Sequence, residues 1–189
     1  MSILTAPEII RLIETGVIVG TDPSLVRGTS LDIRLGTEFL TEASIDDAGV
    51  PVHGREVYVA MNEPLALRKR EYRVGDSVLF KPGEFMLACS QETFNLPPTI
   101  TAVMAMRSSM GRYGIDHANA GFCDPGWTNS RMTFELKSNL RFHTVALQVG
   151  MRIAQVYFFK HEAVPELHCY SVTGRYNNDA GAQPAKRGT

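Results

Sequence analysis

The densest polar run in the chain is Arg107-Ser108-Ser109-Met110-Gly111-Arg112, directly after the apolar stretch Ile100–Met106. A strand that empties into two serines and a short turn presents backbone N–H groups and two hydroxyls together. The two arginines stand five residues apart, so both can converge on one anion. Such donors and forked guanidinium groups are how a phosphate site is made without a Walker loop. A solvated strand-to-turn junction has the same composition. A second cluster, Asn119-Ala120-Gly121-Phe122-Cys123-Asp124-Pro125-Gly126-Trp127, ends in a tight turn with Pro125 fixing φ. Asp124 there is either an ordinary turn residue or an acceptor for a sugar hydroxyl. The third candidate is Glu135, which alternation turns away from Met132, Phe134 and Leu136. On a monomer that side meets water and holds a solvated carboxylate. Covered by another subunit, the same carboxylate is partly desolvated and can exchange protons near neutral pH.

Several other chemistries lack their residues. A zinc nucleobase deaminase needs an H-x-E and a P-C-x-x-C motif, and the chain has neither. Its five histidines show no metal-ligand spacing with the cysteines, so no zinc is expected. His117 stands near the clusters and reads as packing. There is no G-x-S-x-G elbow and no G-x-G-x-x-G loop.

The elements that must position these groups are mostly strands. Thr5-Ala6-Pro7-Glu8 has capping-box spacing, Ile9, Ile10 and Ile13 share a face, and Gly16 supplies a stop. These predict one short N-terminal helix lying as an apolar lid on the core. After it the period becomes two, at Leu31, Ile33 and Leu35 and again at Met132, Phe134 and Leu136. Short apolar stretches at Ser77–Phe80, 85–90, Ile100–Met106, 145–149 and 153–159 are separated by Gly and Pro turns. The pattern predicts an all-β sandwich or jelly roll. The polar segment 41–55 reads as a loop. From Ser171 onward the chain has almost no apolar content, so it is expected to be disordered or to order on a ligand or neighbour. One body (1–170) and one flexible tail (171–189) leave no second domain.

The chain has 189 residues, 44% apolar and 21% charged, with a formal net charge of −1. That length can bury a real core. The even charge balance argues against nonspecific nucleic-acid binding. No apolar run approaches the roughly 20 residues that span a bilayer, and no signal peptide is evident. Three scattered cysteines then read as reduced thiols in a cytoplasmic protein.

These clusters resemble those of the dCTP deaminases, in the superfamily shared with trimeric dUTPases. The resemblance covers roughly residues 28 to 184. It rests on T-S-L-D-I-R-L-G at 29–36, K-P-G-E-F at 81–85, R-S-S-M-G-R at 107–112, A-G-F-C-D-P-G-W at 120–127, F-E-L-K-S-N at 134–139 and G-R-Y-N-N-D-A-G at 174–181. It implies a homotrimer of distorted jelly-roll, dUTPase-like barrels with active sites between subunits. It implies a C–N hydrolase that attacks cytosine C4 of dCTP with water, without a protein-bound metal, giving dUTP and ammonia for pyrimidine deoxynucleotide synthesis. Glu135 would shuttle the protons, with Ser108, Arg112 and the Ala120 backbone positioning the water. Arg107, Ser108 and Ser109, on the turn with Met110 and Gly111, would hold phosphates accompanied by Mg²⁺. Asp124 would take the sugar 3′-hydroxyl, and Thr133, Phe134 and Glu135 the base edge. Tyr170, Arg175 and Asp179 would belong to a tail closing over the nucleotide. Asp179 stands where the family usually has Gln, and Arg175 where it has Lys. The stretch from Asp124 to Glu135 is one residue longer than the family pattern, which a bulge would absorb. Ala120-Gly121-Phe122 is similar to the bifunctional members that carry dCTP on to dUMP and pyrophosphate. A non-catalytic nucleotide-binding trimer is the remaining alternative.

Overall fold

The computed structural model describes residues 1–42, 59, 65–118 and 120–186. Strands dominate, in the order β1 (Ser2–Ile3), α1 (Ala6–Glu14), β2 (Ile18–Val19), β3 (Leu31–Glu42), β4 (Leu67–Glu71), β5 (Ser77–Phe80), β6 (Phe85–Phe94), β7 (Ile100–Met106), α2 (Ser108–Arg112), β8 (Ile115–His117), β9 (Phe122–Cys123), β10 (Ser130–Ser138), β11 (Val145–Gln148), β12 (Arg152–Lys160) and α3 (Tyr170–Thr173). All pairings are antiparallel. Ten strands form one sheet along the path β8-β10-β6-β3-β12-β7-β9, with β1 added to β12, β2 to β6 and β4 to β3, while β5 and β11 pair separately. The protein is therefore mainly β with a short N-terminal helix, as the sequence predicted.

Helix α1 starts where the capping residues require. The Glu8 carboxylate accepts hydrogen bonds from the Thr5 backbone N–H and hydroxyl, each at 2.9 Å, which lowers its pKa from the ordinary carboxylate value. Ile9 is fully buried beneath it. The two-residue period of the strands builds the core: Ile33, Leu35, Phe39, Phe94, Phe134, Leu136 and Phe158 are all completely buried. Each such side chain stabilises the fold by about 1.5–3 kcal/mol.

Strand β6 runs to Phe94, past the 85–90 stretch read from apolar content. Its extension holds polar residues with buried partners. Ser90 Oγ donates to the Glu92 carbonyl and accepts from the Met132 N–H, and Glu92 accepts from both the backbone N–H and Nε of Arg34. Opposite this extension the β10–β6 register shifts between Arg131 and Thr133, so the ladder is irregular where a bulge was predicted. The loop read over 41–55 begins later: Thr41 and Glu42 still pair with β4, and residues 43–55 lie outside the described residues.

Residues 171–186 follow the body closely. Trp127 Nε1 donates to the Tyr176 carbonyl at 2.7 Å, Arg131 N to the Asp179 carbonyl at 2.8 Å, and Gln183 N to Thr133 Oγ1 at 3.1 Å. Ala182 is buried against Leu40, Leu87 and Cys89. Low apolar content is offset here by hydrogen bonds to groups on β10 and the turn before it, which composition does not reveal.

Candidate active site

Strand β10 alternates between buried Met132, Phe134 and Leu136 and partly exposed Arg131, Thr133 and Glu135. The second set lines a cavity of about 490 Å³. Ala120 and Asp124, Trp127 and Tyr170, and Tyr176, Asp179 and Gln183 of the tail line it as well. Six residues singled out from sequence therefore meet here: Ala120, Asp124, Thr133, Glu135, Tyr170 and Asp179. The volume falls within the range of small-molecule sites.

Glu135 is about a quarter exposed, and its Oε2 lies 3.0 Å from Nε2 of His117, which is almost fully buried. His117 sits on β8 and pairs across the ladder with Leu136. Sequence reasoning gave it a packing role. Only the pairing of β8 with β10 puts the imidazole against the carboxylate, and nothing in the spacing of residues 117 and 135 announces it.

Asp124 closes its turn by accepting the Trp127 N–H at 3.2 Å, which leaves the carboxylate exposed. Trp127 stacks on Phe94 at 5.7 Å between centroids, so the turn is anchored to the core. Burial, with Asp124 adding to it, pushes the Cys123 thiol up to about 12. Burial likewise raises the Tyr170 hydroxyl, with Tyr176, Asp124 and Asp179 adding to it, so Tyr170 is a hydrogen-bond donor at neutral pH. The ring of Tyr170 lies over Gly174 so closely that a Cβ there would meet Cδ1 at 2.1 Å. Only glycine admits the ring in that place.

Asp179, which stands where the family usually has Gln, lines the cavity. Its carboxylate is taken up by Lys186, whose Nζ donates to both oxygens at 3.0 and 2.9 Å, donates to the Arg175 carbonyl at 2.7 Å, and lies 4.9 Å over the Tyr176 ring. Lys186 and Gln183 lie outside the motifs quoted from sequence, and Tyr176 stands inside one without an assigned role, because their partners are set by the path of the tail.

The remaining sequence candidates lie elsewhere. The Arg-Ser-Ser run is a five-residue helix rather than an open turn, and none of residues 107–112 lines the cavity that holds Glu135. Arg107 turns to Asp32 at 3.5 Å, and Ser108 is exposed. Ser109 is half-buried and Gly111 exposed. Met110 and Arg112 line a different cavity of about 590 Å³ with Tyr113 and Leu147. Phe134 is completely buried in the core, so its side chain does not face the cavity. Arg175 is exposed on the tail. Asn119 lies outside the described residues. Among the described residues no group of three or more His, Cys, Asp and Glu could hold a metal ion, and no helix is long and apolar enough to cross a membrane.

Fold and cavity together define an all-β protein with a carboxylate set into a nucleoside-sized recess. The chain belongs to the dCTP deaminase-like family, whose model matches residues 3–161. It is 36% identical over 169 residues to a dCTP deaminase of Natronomonas pharaonis, covering 87% of this chain and 83% of that protein. It is also 36% identical over 188 residues to a dUMP-forming dCTP deaminase of Dictyoglomus thermophilum, covering 95% and 91%. The fold matches the 2′-deoxycytidine 5′-triphosphate deaminase of Agrobacterium tumefaciens with a TM-score of 0.61 at 20% identity, covering 82% of this chain and 48% of that one. This chain thus spans about half the length of that solved one.

Proposed function

We propose that the protein is a dCTP deaminase, releasing dUTP and ammonia from dCTP. The observation that carries this is the position of Glu135 on the wall of the cavity, beside His117, in a chain of the dCTP deaminase-like family. Glu135 as carboxylate takes a proton from water while the oxygen adds to C4, and passes it to ring N3. It then takes the proton of the new C4 hydroxyl and gives it to the amino nitrogen. The C–N bond breaks, ammonia leaves, C4 keeps a carbonyl oxygen, and Glu135 returns to its starting state. His117 beside Oε2 orients the carboxylate.

Ser108, Arg112 and the Ala120 backbone position the water and the charge at C4. Arg107, Ser108 and Ser109, with Met110 and Gly111 of the same short helix, take the phosphates. Asp124 accepts the 3′-hydroxyl and Tyr170 donates to the nucleotide. Thr133 and Glu135 read the base edge, with Phe134 contributing only its backbone. Arg175 and Asp179 close the tail over the phosphate side. Mg²⁺ arrives with the substrate, since a triphosphate carries about four negative charges, more than two or three arginines neutralise. Residues 107–112 lie outside the cavity of their own chain. This supports a homotrimer in which the basic α2 segment of one protomer faces the Glu135 cavity of the next.

Incubation with Mg²⁺ and dCTP tests the reading: ammonia and deoxyuridine nucleotide should form together. Glu135→Gln should lower the rate by a factor of at least about 10²–10⁴ while dCTP still binds. Undiminished ammonia release from that variant would refute the proton-shuttle role.

A second reading has its own support. The Gly121 carbonyl accepts the Met104 N–H at 2.7 Å, and a Cβ on Gly121 would meet the Met104 carbonyl oxygen at 2.7 Å. The Ala120-Gly121 backbone therefore hugs β7, and neither of these two residues puts a bulky side chain into the cavity. That space suits the further hydrolysis to dUMP and pyrophosphate, the product class named for the Dictyoglomus relative. Pyrophosphate appearing in step with ammonia would select it.

A further inference from the structure

Asp32 is a completely buried carboxylate on β3. Its Oδ2 is met by three guanidinium groups: Arg27 through Nε and a terminal nitrogen at 3.0 Å, Arg152 at 3.2 Å and Arg107 at 3.5 Å. Gln155 donates to Oδ1 at 3.2 Å. Strand β12 supplies Arg152 and Gln155 next to β3, and Arg107 follows directly on β7, which pairs with β12 on its other side. One negative charge cannot balance three positive ones, and the set keeps a surplus of two. That surplus faces water, since the Arg27 and Arg152 side chains are each 44% exposed. The chain as a whole carries a net charge of −1, so the concentration is local. Asp32 accounts for the geometry of the arginines but not for their number. It clamps three forks side by side, which suits an anion with several oxygens in a row. Next along the chain from Arg107 stands exposed Ser108, which offers a further donor and no competing acid.

We infer that Arg27 and Arg152, aligned with Arg107 by Asp32, form a polyphosphate-binding platform that takes the phosphate chain of the nucleotide substrate. Arg27 and Arg152 touch the anion directly. Asp32 is a positioning residue that acts through them. The identity of the nucleotide rests on the deaminase reading, but the anion site does not.

Calorimetric titration of the full chain with inorganic tripolyphosphate, a probe without sugar or base, tests the site alone. Loss of one charge-assisted contact should weaken binding about ten- to hundredfold in Arg152→Gln and in Arg27→Gln. Arg152→Lys, which keeps the charge but loses the fork, should recover part of it. Tripolyphosphate should compete with dCTP, and both Gln variants should raise KM for dCTP far more than they lower kcat. Both arginines are half-exposed, so the variants should fold, which circular dichroism checks. Unchanged tripolyphosphate binding in both variants would overturn the inference. So would dissociation of the oligomer with KM for dCTP unchanged, since the surplus charge would then belong to contacts between copies. If wild type binds tripolyphosphate through these arginines but does not deaminate dCTP, the deaminase reading fails and the anion site stands.

Discussion

Glu135 owes its surroundings to two accidents of position: alternation on β10 aims it into the cavity, and the pairing of β8 sets His117 at 3.0 Å from its Oε2. A carboxylate free to rotate would spend time in unproductive orientations, so His117→Ala should lower kcat by up to about a hundredfold and move KM little. An equal rise in KM would instead mark His117 as a substrate contact. Opposite it, Gly174→Ala would force the Tyr170 ring out of its place and should raise KM for dCTP without unfolding the body. The thiols give a different check. Cys89 and Cys169 are buried, and burial pushes the Cys123 thiol up to about 12, so thiolate is scarce at pH 8. Ellman's reagent should find no fast thiol in the native protein and all three after denaturation.

Strands carry a second set of consequences. Glu92 on β6 is completely buried against Arg34 on β3. Burial raises its carboxyl above the ordinary value in spite of the Arg34 hydrogen bonds that pull it down. The folded chain then binds the Glu92 proton more tightly than the unfolded chain. Its contribution to stability is greatest at low pH and falls as pH rises from the ordinary carboxylate range through the raised folded value. Urea unfolding between pH 4 and 7 should show this slope in wild type and a flatter one in Glu92→Gln. Arg34→Met removes the partner and leaves the acid buried, at a cost of about 3–5 kcal/mol. Strands were legible in sequence where apolar residues alternate, as at β3 and β10, or form a short apolar stretch between turns, as at β5 and β7. The polar end of β6 was not, because Glu92 and Ser90 are stabilised by partners far away in the chain. For tail residues 171–186 composition alone did not give the docked path, because their hydrogen bonds reach back to Trp127, Ser130 and Thr133. Deleting 171–189 should leave a folded body and remove the Tyr176, Asp179 and Gln183 wall, with a large rise in KM for dCTP.

At the scale of the whole molecule, one chain holds the two halves of the proposed site in different places. Glu135, Asp124 and Tyr170 share one cavity, whereas Arg112 lines another and Arg107 is tied to Asp32. The motif resemblance proposed both halves and implied sites between subunits, but a linear pattern does not say which copy of the chain supplies each. The account requires that they meet across a subunit boundary. Two inactive variants, Glu135→Gln and Arg112→Gln, test this when dissociated, mixed in equal amounts and reassembled. In a cyclic trimer a boundary is intact when its carboxylate comes from one variant and its arginine from the other, so the mixture should recover about a quarter of wild-type deamination. Activity no higher than that of either variant alone, in mixed trimers verified by native mass spectrometry, would contradict the shared site.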